Sequence, residues 1–290
     1  MSALQGPGGG DRFVVMVPVK PLSSAKSRLA RLGDDLRRDL AAAFAADTVS
    51  VLLDCERVAR VLVVTDDHVV ARSLEGLGAD VIPDGTSDLN GTLVQAAAEM
   101  HRRDPSLHLA AVCADLPALR PAELTAALDA ADPQRMSFVA DEERVGTTAV
   151  AAPDLARFRP RFGRGSRQEH LASGAMEIEA IDVPGLRRDV DDPDDLRAAL
   201  RLGVGPRTSA VATLASRRLA AVQATVSAFD PQTREGRVLM DDGVELGFPA
   251  SALDGTGLRL LRPGQRLRLE TTGENPPRVV AVQILTLPSS

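Results

Sequence analysis

Through about residue 202 the chain alternates short runs of branched apolar residues with longer Ala- and Leu-rich stretches, and this alternation limits the fold more than any other feature. FVVMVPV at Phe13–Val19 is apolar almost without a break, as a strand buried on both faces must be. Helical composition follows at Leu36–Asp54, then a strand at Arg60–Thr65, a helix at His68–Leu77, a strand at Asp80–Pro83 and a helix at Leu89–Arg103. A strand at Leu107–Cys113 precedes a helix opening at Pro121, where proline suits the first turn. Strands near Ser137–Ala140, Thr147–Ala152 and Glu177–Val183 and a helix at Pro193–Leu202 complete the series. The pattern predicts an α/β fold, a mostly parallel Rossmann-like sheet with helices on both faces. Ligands of such sheets lie beyond the carboxyl ends of the strands, so the residues just after each strand carry the functional weight.

Farther on the pattern becomes all-β. Runs at Ala221–Phe229, Gly236–Met240, Glu245–Phe248, Gln265–Thr271 and Arg278–Leu285, separated by turn signals such as DDG and RPGQ, predict a small five-stranded barrel. The expected organisation is a flexible Gly-rich tail over 1–11, a catalytic domain over 12–206, a linker over 207–218 and the barrel over 219–287. A net charge of −6 opposes non-specific attraction to nucleic acid or anionic lipid. Seven Phe with no Trp or Tyr exclude a binder that stacks bases on aromatic faces. No apolar run approaches the ~20 residues of a membrane span. The start lacks the cationic and apolar regions of a secretory signal, and Cys55 and Cys113 form neither metal-ligand spacing nor a disulfide framework. The expected location is the cytoplasm.

Of the 34 basic residues only Lys20 and Lys26 are lysine, and both lie in VPVKPLSSAKSRLA directly after the first strand. Lysine is a compact charge on a flexible stem and does not exchange freely with arginine. Lys20, Lys26 and Arg28 are therefore read as cations converging on phosphate oxygens, against the plainer alternative of a solvated loop. Asp66 after the second strand, with Asp88 and Asn90 before the third helix, can hydrogen-bond a base or ribose; Asp88 serves equally as an N-cap. Asp115 follows an apolar strand, where a carboxylate can hold a divalent ion against nucleotide phosphates or simply form a turn. Asp189 and Asp191 alternate on an extended segment and share a face, so they can join Asp115 around magnesium. Asp192, Asp194 and Asp195 fit an N-cap and first turn before and after Pro193. VGTTAV offers two hydroxyls at a strand entry. In RFGRGSRQEH, Ser166 and Glu169 form a capping-box pattern, and Arg161, Arg164 and Arg167 flank a helix start able to take an anion. His170 is read as a packing or supporting residue.

Taken in order, VPVKPLSSAKSRLA, DLN, ADLPAL, GTTAV, RFGRGS and RRDVDDPDDL resemble the 2-phospho-L-lactate guanylyltransferase family. Its actinobacterial members act as phosphoenolpyruvate guanylyltransferases in making a deazaflavin coenzyme. The resemblance implies a nucleotidyltransferase fold, GTP and phosphoenolpyruvate as substrates, and Mg2+ near Asp115, Asp189 and Asp191. It also implies that Thr148, Gly163 and Ser166 occupy the phosphoenolpyruvate positions, and that the product passes to the next enzyme of the pathway. The family commonly has glycine where this chain has Ala114. Alternatives are the same chemistry on 2-phospho-L-lactate or 3-phosphoglycerate, or a non-catalytic nucleotide- or RNA-binding regulator. The tail resembles a cold-shock domain in ATVSAFDPQTREGRVLM, LGFPASAL and RPGQRLRL, but where the first RNA-contact motif of that family is aromatic this chain reads REGRVL over Arg234–Leu239, and Gly247 and Ala250 occupy aromatic positions of the second. No nucleic acid or membrane partner is expected of it.

Overall fold

Strand β1 (Phe13–Pro18) is central because neither of its faces meets water: Phe13 to Val17 are all at most 2% exposed. In the computed structural model, which describes residues 12–21, 26, 29, 34–85, 88–218, 222–254, 256–271 and 277–284, β1 is flanked by two parallel neighbours. These are β2 (Val58–Val64) and β4 (His108–Val112). Side chains alternate along β1, so Val15 and Val17 pack with α1 (Asp34–Leu53), α2 (His68–Glu75) and α4 (Pro121–Asp129). Val14 and Met16 pack on the other face against Leu93, Ala96 and Met100 of α3 (Leu89–Arg103). Helices thus cover both faces. With β3 (Asp80–Ile82), β5 (Ser137–Ala140), β6 (Thr147–Ala152) and β7 (Met176–Glu177), the sheet has seven strands in the order β3-β2-β1-β4-β6-β5-β7.

Two features of this order position the site. From β1 the chain builds outward through β2 and β3, then returns to lay β4 on the opposite side of β1. The crevice between the ends of β1 and β4 is a topological switch point, where open α/β sheets take their ligands. Next to β4, strand β6 runs antiparallel, with Val112 opposite Ala149. The start of β6 therefore shares an edge with the end of β4.

Three expectations differ from the observed elements. Strand β7 stops at Glu177 rather than continuing to Val183, because the Arg187 guanidinium donates to the Ala140 and Ile178 carbonyls at 3.0 and 2.7 Å, ending the ladder there. A short helix, α6 (Pro184–Arg187), follows, and then α7 (Pro193–Leu202). The expected linker is instead largely helix α8 (Pro206–Arg218), whose first turn is capped by Asp47 of α1 through the Arg207 and Thr208 amides at 3.2 and 2.7 Å. Finally, Ser166 does not cap α5 (Ser166–Ala172); Gly165, left-handed at φ 72°, is the N-cap, and Ser166 is the first helical residue.

The described residues fall into two compact units, one within 1–27 and 38–209, the other within 28–37 and 210–290. The second contains β8 (Val222–Phe229), β9 (Gly236–Met240), β10 (Glu245–Phe248), β11 (Arg266–Thr271) and β12 (Val279–Ile284) in an antiparallel sheet ordered β10-β9-β8-β11-β12. In β11 buried Leu267, Leu269 and Thr271 alternate with exposed Arg266, Arg268 and Glu270, the period-two pattern of a sheet with one wet face. Phe248 is buried and lies stacked near Phe229, with ring centroids 6.3 Å apart. Gly236 makes this possible, since a Cβ there would stand 2.3 Å from the Phe248 ring. Among the described residues no helix is long and apolar enough to cross a membrane.

Candidate active site

Asp115 leaves the sheet three residues beyond β4, and Asp189 and Asp191 precede α7. The three carboxylates converge: one ligand oxygen from each lies within 4.8 Å of the others. Their backbones explain the convergence. The Val190 amide donates to the Asp115 carbonyl at 3.1 Å, which aligns the two flanking aspartates with the Asp115 turn. Val190 itself is fully buried, and the Asp191 and Asp192 amides both donate to Asp195 Oδ2 at 3.1 Å. Asp192 caps α7 as expected, with Asp195 completing the capping box.

Lys26 meets this cluster. Its ammonium contacts Asp115 Oδ2 and lies 2.7 Å from Asp191 Oδ1. Burial works against its charge, but the two carboxylates outweigh burial and hold the group above the ordinary lysine range. Lys26 also has φ 55°, a left-handed conformation that residues with a Cβ seldom adopt and that collects at functional sites. Burial first, then the Asp115 and Asp191 charges, push Asp189 up to about 7. Cys113, partly buried beside the cluster, has its thiol pushed well up by desolvation and by the same carboxylates. Asp115 Oδ1 is buried and accepts no hydrogen bond. Hard oxygen donors, an excess of negative charge and an unsatisfied carboxylate oxygen suit a divalent cation of the magnesium type.

The second half of the site lies along β6. The Cys113 amide donates to the Thr148 carbonyl at 2.8 Å, which sets buried Thr148 level with the end of β4. Asp141 builds the preceding turn, accepting the Val145 and Gly146 amides at 2.8 and 2.7 Å. The Arg167 amide donates to the Val145 carbonyl at 3.2 Å and docks the first turn of α5, including buried Ser166, on this turn. Before α5 the chain passes through Gly163 at φ 141° and Gly165 at φ 72°, conformations that favour glycine. Two side chains pin this loop. Nε2 of wholly buried His170 accepts the Arg161 amide at 2.9 Å, and its Nδ1 lies 3.0 Å from Thr147 Oγ1. Asn90 makes a reciprocal pair with Phe162, donating to its carbonyl at 2.9 Å and accepting its amide at 2.8 Å. A cavity of about 290 Å³ is bounded by Asn90, Arg161, Gly163 and Arg164.

The remaining expected residues are placed as follows. Lys20 is exposed two residues past β1, and Arg28 lies outside the described residues. Asp66 Oδ1 accepts the Asp84 amide at 2.9 Å, which ties the ends of β2 and β3. Asp88 caps α3 through the Asn90 and Gly91 amides. Asp66, Asp88 and Asn90 each already serve the backbone. One residue that shapes the site, Asp141, has only a weak signal in the sequence. That signal is an acidic residue closing a strand five positions before a glycine.

A family described as guanylyl transferase CofC like matches residues 13–216. The phosphoenolpyruvate guanylyltransferase of Thermomonospora curvata is 51% identical over 199 residues, covering 68% of this chain and 87% of that protein. The protein of the same name from Streptomyces scabiei is 48% identical over 207 residues, covering 69% of this chain and 96% of its own. A solved structure described as a nucleotide-diphospho-sugar transferase, from Desulfovibrio desulfuricans G20, covers 72% of this chain and 96% of its own. Its TM-score is 0.54 at 14% identity, a likeness of fold.

Proposed function

The chain belongs to the CofC-like guanylyl transferase family, and from that membership we infer that it is a phosphoenolpyruvate guanylyltransferase. A phosphate oxygen of phosphoenolpyruvate attacks the α-phosphorus of GTP. The new P–O bond forms as the bond from the α-phosphorus to the bridging oxygen breaks, and that oxygen leaves with pyrophosphate. The products are enolpyruvyl-diphospho-guanosine and pyrophosphate. The attacking phosphate is already largely anionic at pH 7, since its second pKa is about 6, so no protein base is needed. The obstacle is repulsion between two anions, and catalysis here is positioning with charge neutralisation.

Lys26, Lys20 and Arg28 neutralise the triphosphate and the departing pyrophosphate. Asp115, Asp189 and Asp191 would hold the divalent ion, taken as Mg2+, which would supply charge neutralisation to the reacting phosphates. Thr148, Gly163 and Ser166 receive phosphoenolpyruvate. Asp66, Asp88 and Asn90 are assigned to the nucleotide. The reaction is assigned to the cytoplasm, and the product, a mixed diphosphate, passes to the next enzyme of a coenzyme pathway.

The observation that carries this reading is the meeting of Lys26 with two of three clustered aspartates at the β1–β4 switch point. The test is pyrophosphate release by the purified protein with GTP and magnesium, offered phosphoenolpyruvate, 2-phospho-L-lactate or 3-phosphoglycerate separately. Release with phosphoenolpyruvate is expected. Preference for another acceptor overturns the substrate, and no release with any of them overturns the activity.

A further inference from the structure

Thr48 lies in the second half of α1, wholly buried among Ala45, Ala46 and Val49. A buried hydroxyl without a partner is costly, so its hydrogen bonds account for its presence there. Helical Ser and Thr commonly bond the carbonyl four residues back, and Ser50 of the same helix does so with Ala46 at 2.8 Å. Thr48 instead reaches the Asp115 turn. Its Oγ1 donates to the Ala114 carbonyl at 3.2 Å and accepts the Leu116 amide at 3.2 Å.

These two groups belong to the peptides on either side of Asp115. They lie past the β4 ladder, which ends with the Cys113 amide on the Thr148 carbonyl. One hydroxyl thus satisfies a backbone acceptor and a backbone donor that the sheet leaves over. The remaining carbonyl of the turn, that of Asp115, takes the Val190 amide between the other two aspartates. Fixing this turn therefore fixes the origin of the Asp115 side chain and the register of Asp189 and Asp191 against it.

We propose that Thr48 is a positioning residue of the metal and phosphate site: its hydroxyl sets the geometry of the three carboxylates without touching ion or substrate. The proposal rests on the reading of Asp115, Asp189 and Asp191 as the ion's ligands. Its structural precedent is general, since groups that orient metal ligands commonly change metal affinity or activity by about 10–100-fold when removed.

The test compares full-length wild type with Thr48→Val, Thr48→Ser and Asp115→Asn. Mn2+ binding is measured by electron paramagnetic resonance, and kcat and KM by pyrophosphate release. Thr48→Val keeps the shape and loses both hydrogen bonds; it is expected to weaken Mn2+ binding about tenfold or more and to lower kcat while KM for GTP holds. Thr48→Ser keeps the hydroxyl and is expected to restore both readouts. Where Thr48→Val does not fold, Thr48→Ala against Thr48→Ser supplies the same comparison. Wild-type Mn2+ affinity in the variant lacking the hydroxyl, with Asp115→Asn impaired, overturns the role of Thr48 and leaves the metal reading standing. Equal Mn2+ binding by wild type and Asp115→Asn overturns the metal reading and, with it, the proposal.

Discussion

Protonating His170 should release the loop that carries Gly163, and the structure gives a size for the effect. The ring is wholly buried and stacks on Phe138 with centroids 5.2 Å apart. Nε2 accepts the Arg161 amide, so that nitrogen carries no proton in the fold. A second ring proton would face an N–H and break that bond. Burial, with the Arg161 guanidinium adding to it, outweighs the Ser166 backbone bond and lowers the pKa from 6.5 to about 4. Because the folded pKa lies below the unfolded one, the unfolded chain binds the proton first. The stability contribution is fully present above pH 6.5 and is lost as pH falls toward 4. From this group alone the loss is about 2 kcal/mol between pH 7 and pH 5, approaching about 3 kcal/mol at the lower limit. The assay is urea unfolding of the first unit at stepped pH, comparing wild type with His170→Gln, which retains an amide acceptor and does not titrate. Wild type should lose stability relative to the variant as pH falls through this range. Parallel profiles from pH 7 to pH 5 would refute the assigned tautomer and its burial.

Two other outcomes follow from the cation–carboxylate cluster. Lys26→Ala should lower kcat about 100-fold or more with the circular dichroism spectrum unchanged, as when one oriented donor to developing charge is removed; near-normal turnover would remove Lys26 from the phosphate site. Since Asp189 is raised to about 7 and an ion binds the deprotonated carboxylate, Mn2+ affinity should fall as pH drops below that value, by up to about tenfold per unit. Affinity that is flat from pH 8 to pH 6 would contradict the crowding of charge around Asp189.

Much of the first unit was legible in the sequence because its determinants are local. Apolar runs gave β1, β2 and β4, and proline or Asp caps marked the starts of α3, α4 and α7. Lys26 and Asp115 were legible too, since parallel strands bring their carboxyl ends to one edge, and Asp189 and Asp191 from their alternation on the extended segment before α7. What escaped was fixed by partners distant in sequence. Helix α8 is capped by Asp47, about 160 residues earlier, and the Gly185 amide of α6 donates to Glu123 at 2.8 Å. No local signal carries either cap. The same holds for Asn90: its side chain suggests a ligand-binding amide, and only the fold brings Phe162 to it.

The reversed direction of β6 has a further consequence for how specificity can change. Lys26 and Asp115 follow strands that run toward the ligand edge, whereas Thr147 and Thr148 stand where a strand departs from it. On the reading proposed above, the carboxyl ends of β1 and β4 would supply the groups that handle phosphate, and the amino end of β6 those that face the acceptor. The turn from Asp141 to Gly146 and the loop from Arg161 to Gly165 can then vary without altering β1 or β4. On that reading one sheet edge would hold a fixed chemical half and an exchangeable half, and a change of acceptor would need no change in the residues assigned to the triphosphate.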